Sequence, residues 1–193
     1  VSMLQKADGP IVQIMDLDGA PVDACVGLSH TAAGRAMAEA LVREGRCNIG
    51  YIGCALDRDS RAAKRLQGFK DGLAAHGLHV TAHRHGEGAS TMSTGRRLPA
   101  DLLLEAPLLD AIYYSNDDLA SGGAFHCVSH DIHVPGTLRL AGFNGLDFVE
   151  SLPVPLATAK TPRHEIGRVA AEIVLEGRRT GRSVSYSPEI VLP

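Results

Sequence analysis

The chain has 193 residues, 45 % of them hydrophobic and 21 % charged, with a formal net charge of −3 at neutral pH. That is apolar chain enough for one large domain or two small lobes, each with its own core. The basic residues are scattered, the nearest cluster being Arg178, Arg179 and Arg182. This excludes a strongly basic nucleic-acid surface, which needs clustered Lys and Arg to neutralise phosphate.

In chain order, 1–8 reads as the last turns of an amphipathic helix. Apolar runs at 11–15, 49–53, 111–114 and 138–143 predict buried strands. Stretches with apolar residues three and four apart predict helices at 31–42, 60–75, 95–105, 118–129 and 163–176. Gly45 and Gly77 follow helices where a left-handed cap is wanted, and Pro162 stands at a helix start. The Gly/Ser/Thr-rich segment 85–95 reads as a loop entering the next helix. Strand and helix in alternation predict an α/β fold of parallel sheets with helices on both faces. A first strand preceded only by a helix remnant leads us to expect an incomplete N-terminal lobe, whose sheet edge would be open. Neither a membrane-spanning apolar run nor a signal peptide is visible. The 4 cysteines, Cys25, Cys47, Cys54 and Cys127, form no C-x-x-C pair and read as core residues or free thiols of a reducing cytoplasm.

Ligands of open α/β sheets sit beyond the carboxyl ends of the strands, so polar residues there are the candidates. Asp16 follows the first run, Asn116 and Asp117 the third, and Asn144 the fourth. Arg58 and Arg61 come shortly after the second, with Arg65 one turn beyond Arg61. Amides and a carboxylate bond hydroxyls in pairs, and a guanidinium fork suits a carboxylate or phosphate. The set therefore points to a polyol, sugar or sugar acid. Each residue alone is equally well explained as a helix cap or turn residue, and at least one of Asn116, Asp117 and Asp118 is expected only to cap the helix at Leu119. The set is what carries the reading. There is no glycine-rich phosphate loop and no nucleophile elbow, so an enzyme is not expected. Among the 9 histidines, His83 and His85 alternate on a strand end and His126 and His130 stand four apart on a helix. Neither pair has a third ligand at metal-binding spacing, and the second is expected on a solvated face.

Six segments in order resemble LacI/GalR transcription regulators. They are Ser29-His30 with the following helix; Gly45 to Gly53, with Arg46 where the family usually has His; Arg65-Leu66-Gln67-Gly68-Phe69; Asn116-Asp117 to Ala120; Val134-Pro135 followed by Ala141-Gly142-Phe143-Asn144; and Pro155-Leu156-Ala157-Thr158. Val12 to Leu17 and Gly142 to Gly145 further resemble the gluconate-repressor branch. The resemblance implies two Rossmann-like lobes with an effector between them. The N-terminal lobe would comprise 1–56 and 160–178, and the C-terminal lobe 57–159 and 179–193. It places effector contacts at Asp16, Arg61, Arg65, Asn116 and Asn144. Asn144 stands where many relatives have Asp, which lowers repulsion of an anionic ligand. Ala89 stands where some sugar-binding relatives stack an aromatic ring, which argues for an open-chain acid. The expected partners are a sugar or sugar-acid effector, a second copy of the chain, and operator DNA reached only through a helix-turn-helix domain that this chain does not contain. No cofactor, metal or membrane is expected, and the location is the cytoplasm. The rival readings are a transporter's periplasmic sugar-binding protein, which shares the two-lobe fold, and a Rossmann-type enzyme.

Overall fold

The computed structural model describes residues 2–6 and 8–193. A short helix α1 (Ser2–Gln5) precedes β1 (Val12–Asp16), β2 (Ala24–Leu28), α2 (His30–Arg43), β3 (Ile49–Cys54), α3 (Ser60–Ala74) and β4 (Val80–Gly86). Then come α4 (Met92–Glu105), β5 (Ala111–Tyr114), α5 (Asp117–Ser129), β6 (Arg139–Asn144), a 3₁₀ turn (Asp147–Ser151), β7 (Ala157–Lys160), α6 (Arg163–Leu175), β8 (Ser183–Ser185) and β9 (Glu189–Val191). Two sheets result. The smaller has the order β1-β2-β8, all parallel. The larger has the order β4-β3-β5-β6-β7-β9, parallel except for β9, which runs antiparallel to β7.

Side chains alternate across the larger sheet, and each face carries its own core. Tyr51, Tyr113 and Phe143 pack with Phe69 and Leu73 of α3 and Met37 and Leu41 of α2. The same cluster takes in Val26 and Leu28 of β2 and Ile166 and Ile173 of α6, so it joins the two sheets. On the opposite face Ile52, Ile112, Tyr114 and Leu140 pack with Leu98 and Leu102 of α4 and Ala120 and Ala124 of α5.

The expected lobe boundaries need correcting at two places. β3, expected in the first lobe, hydrogen-bonds to β4 and β5 and lies inside the larger sheet. Ser183–Ser185, expected in the second lobe, pairs with β2 in the smaller sheet. The chain therefore passes between sheets after β2, between β7 and α6, and between β8 and β9. A buried apolar run looks the same whichever sheet receives it, so the run at 49–53 carried no sign of its neighbours. The segment 85–95 is also less loop-like than expected: β4 extends to Gly86, and α4 starts at Met92 behind a Thr91 cap whose hydroxyl accepts the Thr94 amide.

Helices flanking the larger sheet meet through glycine. A Cβ on Gly34 would lie 1.9 Å from the Arg65 carbonyl oxygen, and one on Gly68 1.9 Å from that of Thr31. On the other face, Gly95 and Gly122 hold α4 and α5 together in the same way, each 2.0 Å from a facing carbonyl. Backbone faces backbone at these crossings, so an added methyl has no flexible neighbour to displace. Replacing Gly68 by Ala is expected to lower unfolding free energy by roughly 1–3 kcal/mol, read as a shifted urea midpoint with unchanged slope.

Candidate functional site

β3, β5, β6 and β7 run parallel, so their carboxyl ends lie along one edge of the larger sheet, and α3 follows β3 there. Arg65, on the second turn of α3, is only 5 % exposed. It stands four residues before Phe69 and eight before Leu73, on the inward face of the helix. Its Nη2 donates to the Ser115 carbonyl at 2.8 Å, at the end of β5. Its Nη1 lies 3.0 Å from His30 Nδ1 at the start of α2. The guanidinium carbon sits 4.1 Å above the Phe143 ring of β6. Arginine only donates, so His30 Nδ1 is the acceptor and the ring is the neutral tautomer with its proton on Nε2. His30 is 1 % exposed, and its ring lies 5.5 Å from that of Phe143. Burial, and then the Arg65 charge, push its pKa down to about 4.

Asp16 ends β1, just after Met15, which has φ 76°; the two residues pair with Leu28 and Gly27 of β2. Its Oδ2 accepts from Lys64 Nζ at 2.6 Å, and its Oδ1 from the Asp18 amide at 2.9 Å. Since Asp16 belongs to the smaller sheet and Lys64 to α3, this half-buried ion pair crosses from one lobe to the other. Asp18 Oδ2 in turn accepts from the amide and hydroxyl of Thr31.

Asn116 is the N-cap of α5, its Oδ1 accepting from the Leu119 amide at 3.0 Å. The cap leaves its Nδ2 without a partner among the described residues. Asn144 has φ 122°, a backbone state that Asn tolerates better than most residues. Its carbonyl accepts from the Thr161 amide at 3.1 Å and from Arg163 Nη1 at 2.8 Å, and its side-chain amide has no partner among the described residues. Tyr113 pairs with Ala141 across β5 and β6, and Asn116 and Asn144 each follow three residues later on the same edge of the sheet. Arg61 is exposed on the first turn of α3, one turn before Arg65. Arg58, also exposed, lies 3.8 Å from Asp57.

All five expected residues thus lie at strand ends or on the first two turns of α3. They differ in availability. Both terminal nitrogens of Arg65 already have internal partners, and Asp16 is already paired. Sequence reasoning missed Lys64 and His30. Lys64 neighbours Arg65, which was a usable signal; nothing local marked His30 as more than a helix start. Asp117, grouped with Asn116, proves to be a buried support: it accepts from Thr158 Oγ1 at 2.8 Å and the Leu146 amide at 3.0 Å. Burial raises its pKa. A hollow of about 740 Å³ adjoins the ends of β3 and β4, lined by Ala55, Arg58, Gly86 and Ala89 among others. His126, expected on a solvated face, is instead 4 % exposed, with its Nδ1 3.1 Å from the Arg96 carbonyl and its ring stacked 4.1 Å from that of His130. Among the described residues no group of three or more His, Cys, Asp or Glu could hold a metal ion, and no helix is long and apolar enough to cross a membrane. Cys25, Cys54 and Cys127 are buried free thiols and Cys47 an exposed one.

The sequence profile of the periplasmic binding protein-like domain matches residues 38–191. The chain belongs to that family. Within it, this periplasmic binding protein-like domain is of the LacI/GalR effector-binding type. It is 34% identical over 185 residues to the HTH-type transcriptional regulator GntR of Escherichia coli, covering 96% of this chain and 55% of that protein. A crystal structure of a LacI-family transcriptional regulator from Silicibacter pomeroyi superposes with a TM-score of 0.93 at 39% identity, over 98% of this chain and 59% of the other. That of the transcription regulator GntR from Chromobacterium violaceum gives 0.82 at 32%, over 93% and 68%. The chain spans about half the length of the curated relatives it matches.

The neutral state of His30 has a consequence for stability. Its folded pKa of about 4 is below the ordinary 6.5, so the unfolded chain binds this proton first. Stability from this residue is complete above pH 6.5 and is lost as pH falls toward 4, by on the order of 3 kcal/mol. Denaturation at stepped pH should show that loss, and the His30→Asn variant, which keeps an acceptor for Arg65 but cannot titrate, should lack it.

Proposed function

We propose that this domain senses a small sugar acid of gluconate type and, as part of a LacI-type transcriptional repressor, uses it to control operator binding. The observation that carries the reading is the charge at the strand ends. Arg61, Lys64 and Arg65 lie together on α3. The other strand-end residues are two neutral amides, Asn116 and Asn144, and one carboxylate, Asp16, already neutralised by Lys64. A ligand carboxylate meets cations there, and its hydroxyls meet the spare amide groups of Asn116 and Asn144. Names among the relatives agree: the GntR regulators are 34–35% identical to this chain.

The ligand's carboxylate would compete with Asp16 for Lys64. Binding would thereby alter the ion pair that joins the two lobes, and with it their angle, a change of the hinge type. DNA contact would come through a separate helix-turn-helix domain, in the cytoplasm. A second copy of the chain would cover the exposed apolar residues Phe125 and Val128 of α5 and Met92 of α4. The chain would catalyse no reaction.

Calorimetry with gluconate, using its neutral analogue glucitol as control, tests the effector. Gluconate should bind and glucitol should not. Arg61→Ala should weaken gluconate about tenfold without affecting folding, because the side chain is exposed. Asn144→Asp should weaken it at least as much by returning a negative charge to the site. Equal affinity for acid and polyol, or indifference to both substitutions, rules out the sugar-acid reading. For assembly, sedimentation should show a dimer that Phe125→Glu converts to monomer.

A further inference from the structure

Asn144 and the next residue, Gly145, have φ 122° and 64°. A side chain meets a steric penalty in that region, so the state at Asn144 persists only where its surroundings impose it. Three of the restraints come from the larger sheet. The Gly145 amide donates to Thr158 Oγ1 at 3.1 Å, and the Leu146 amide to Asp117 Oδ2 at 3.0 Å. The Asn144 carbonyl accepts from the Thr161 amide at 3.1 Å, one step beyond the pairing of Asn144 with Lys160. The fourth has another origin. Arg163 Nη1 donates to the same carbonyl at 2.8 Å. Arg163 is the first residue of α6, and α6 packs on β1 and β2. This bond therefore runs from the layer of the smaller sheet to a strand end of the larger one.

Neither helix stability nor ion pairing accounts for an arginine at this position. A cation on the first turn stands at the positive end of the helix dipole. The one acidic residue of that turn, Glu165, pairs with Arg168. The bond to Asn144 is the one hydrogen bond or ion pair of the Arg163 guanidinium among the described residues. Arg163 is also half-buried, where a charge without a counter-ion is less favourable than on the open surface. What the side chain does, physically, is hold the Asn144 backbone. The side-chain amide of Asn144 makes no bond within the described residues, so the held backbone leaves it available.

Resting on the reading of the strand ends as the effector site, we propose that Arg163 is a positioning residue of that site. It keeps Asn144 in its backbone state from across the boundary between the sheets, and so presents the Asn144 amide to the effector without touching the effector itself. The placement of that amide then depends on the seat of α6 as well as on β6.

The first test needs no ligand. In isotopically labelled protein the HN–Hα coupling and the Cβ shift of residue 144 report its φ. Arg163→Ala should move both toward the values of extended chain, and Arg163→Lys, which keeps a donor of nearly the same reach, should hold them. Calorimetry with gluconate is the second test. Arg163→Ala should weaken binding about tenfold, and Arg163→Lys should restore most of the loss. Asn144→Gly, which tolerates positive φ and removes the amide, should weaken binding to a similar extent. Adding Arg163→Ala to Asn144→Gly should then bring no further loss. Unchanged reporters at residue 144 in Arg163→Ala, or wild-type affinity of that variant, would overturn the proposal. So would additive losses in the double variant, which would mean direct contact with the ligand or a general loosening. If gluconate does not bind the wild-type protein, the sugar-acid reading falls, and the reporters at residue 144 still decide the part of Arg163. Should Arg163→Ala not fold, Arg163→Met keeps the apolar stem and takes its place in every comparison.

Discussion

The guanidinium of Arg65 is the constraint on which the rest of this end of the molecule depends. From one helix it reaches the start of α2 through His30, the end of β5 through the Ser115 carbonyl, and β6 through the face of Phe143. Removing it would leave a buried imidazole and a buried carbonyl without their donor, a large penalty in a low-dielectric interior. Its nearly complete burial changes its part in recognition. The side chain that the sequence offered as a ligand contact chiefly holds the strand ends in register with α3, while the exposed Arg61 and half-buried Lys64 on the same helix meet the solvent. Arg65 is thus first a residue of the core. A substitution at Arg65 disturbs that core, whereas one at the exposed Arg61 leaves it intact.

The close approach of α2 to α3 lets a single side chain reach so far. With no Cβ at Gly34 or Gly68, the helices touch along their backbones, and His30 at the head of α2 comes within hydrogen-bond distance of Arg65. Asp117 does the corresponding work on the other face. Its carboxylate ties the first turn of α5 to Thr158 of β7 and to the Leu146 amide beyond β6. Between them, these two groups fix the ends of three adjacent strands, β5, β6 and β7.

The helices and the central strands were legible because their signals are local. The apolar spacing of Met37 and Leu41, or of Leu66, Phe69 and Leu73, identifies a buried helical face without knowledge of its partner. β2 and β7 were harder. Their sequences, ACVGL and ATAK, are built of small residues with little apolar contrast, and their burial comes from the layers around them. β8 and β9 are three residues each and mostly exposed or half-buried, too short for any period to show. Sheet membership was invisible for the same reason that β3 was misplaced: pairing is a relation between distant segments. At the site, strand-end position found Asp16, Asn116 and Asn144. The partnership of Asp16 with Lys64 spans 48 residues, and that of His30 with Arg65 spans 35, so neither could be read from neighbours along the chain.

The path of the chain sets what kind of motion the two sheets can make. Three separate connections link them, following β2, β7 and β8. Two contain a proline, Pro162 and Pro188, whose ring fixes one of the two backbone torsions at its position. A single linker would let the sheets twist and bend freely. Three connections, two of them stiffened, restrict twisting and sliding more than one would and leave bending as the softer mode. The Asp16–Lys64 pair lies off those connections, across the gap between the sheets. A contact so placed has a longer lever arm on the angle between the sheets than any contact at the connections themselves.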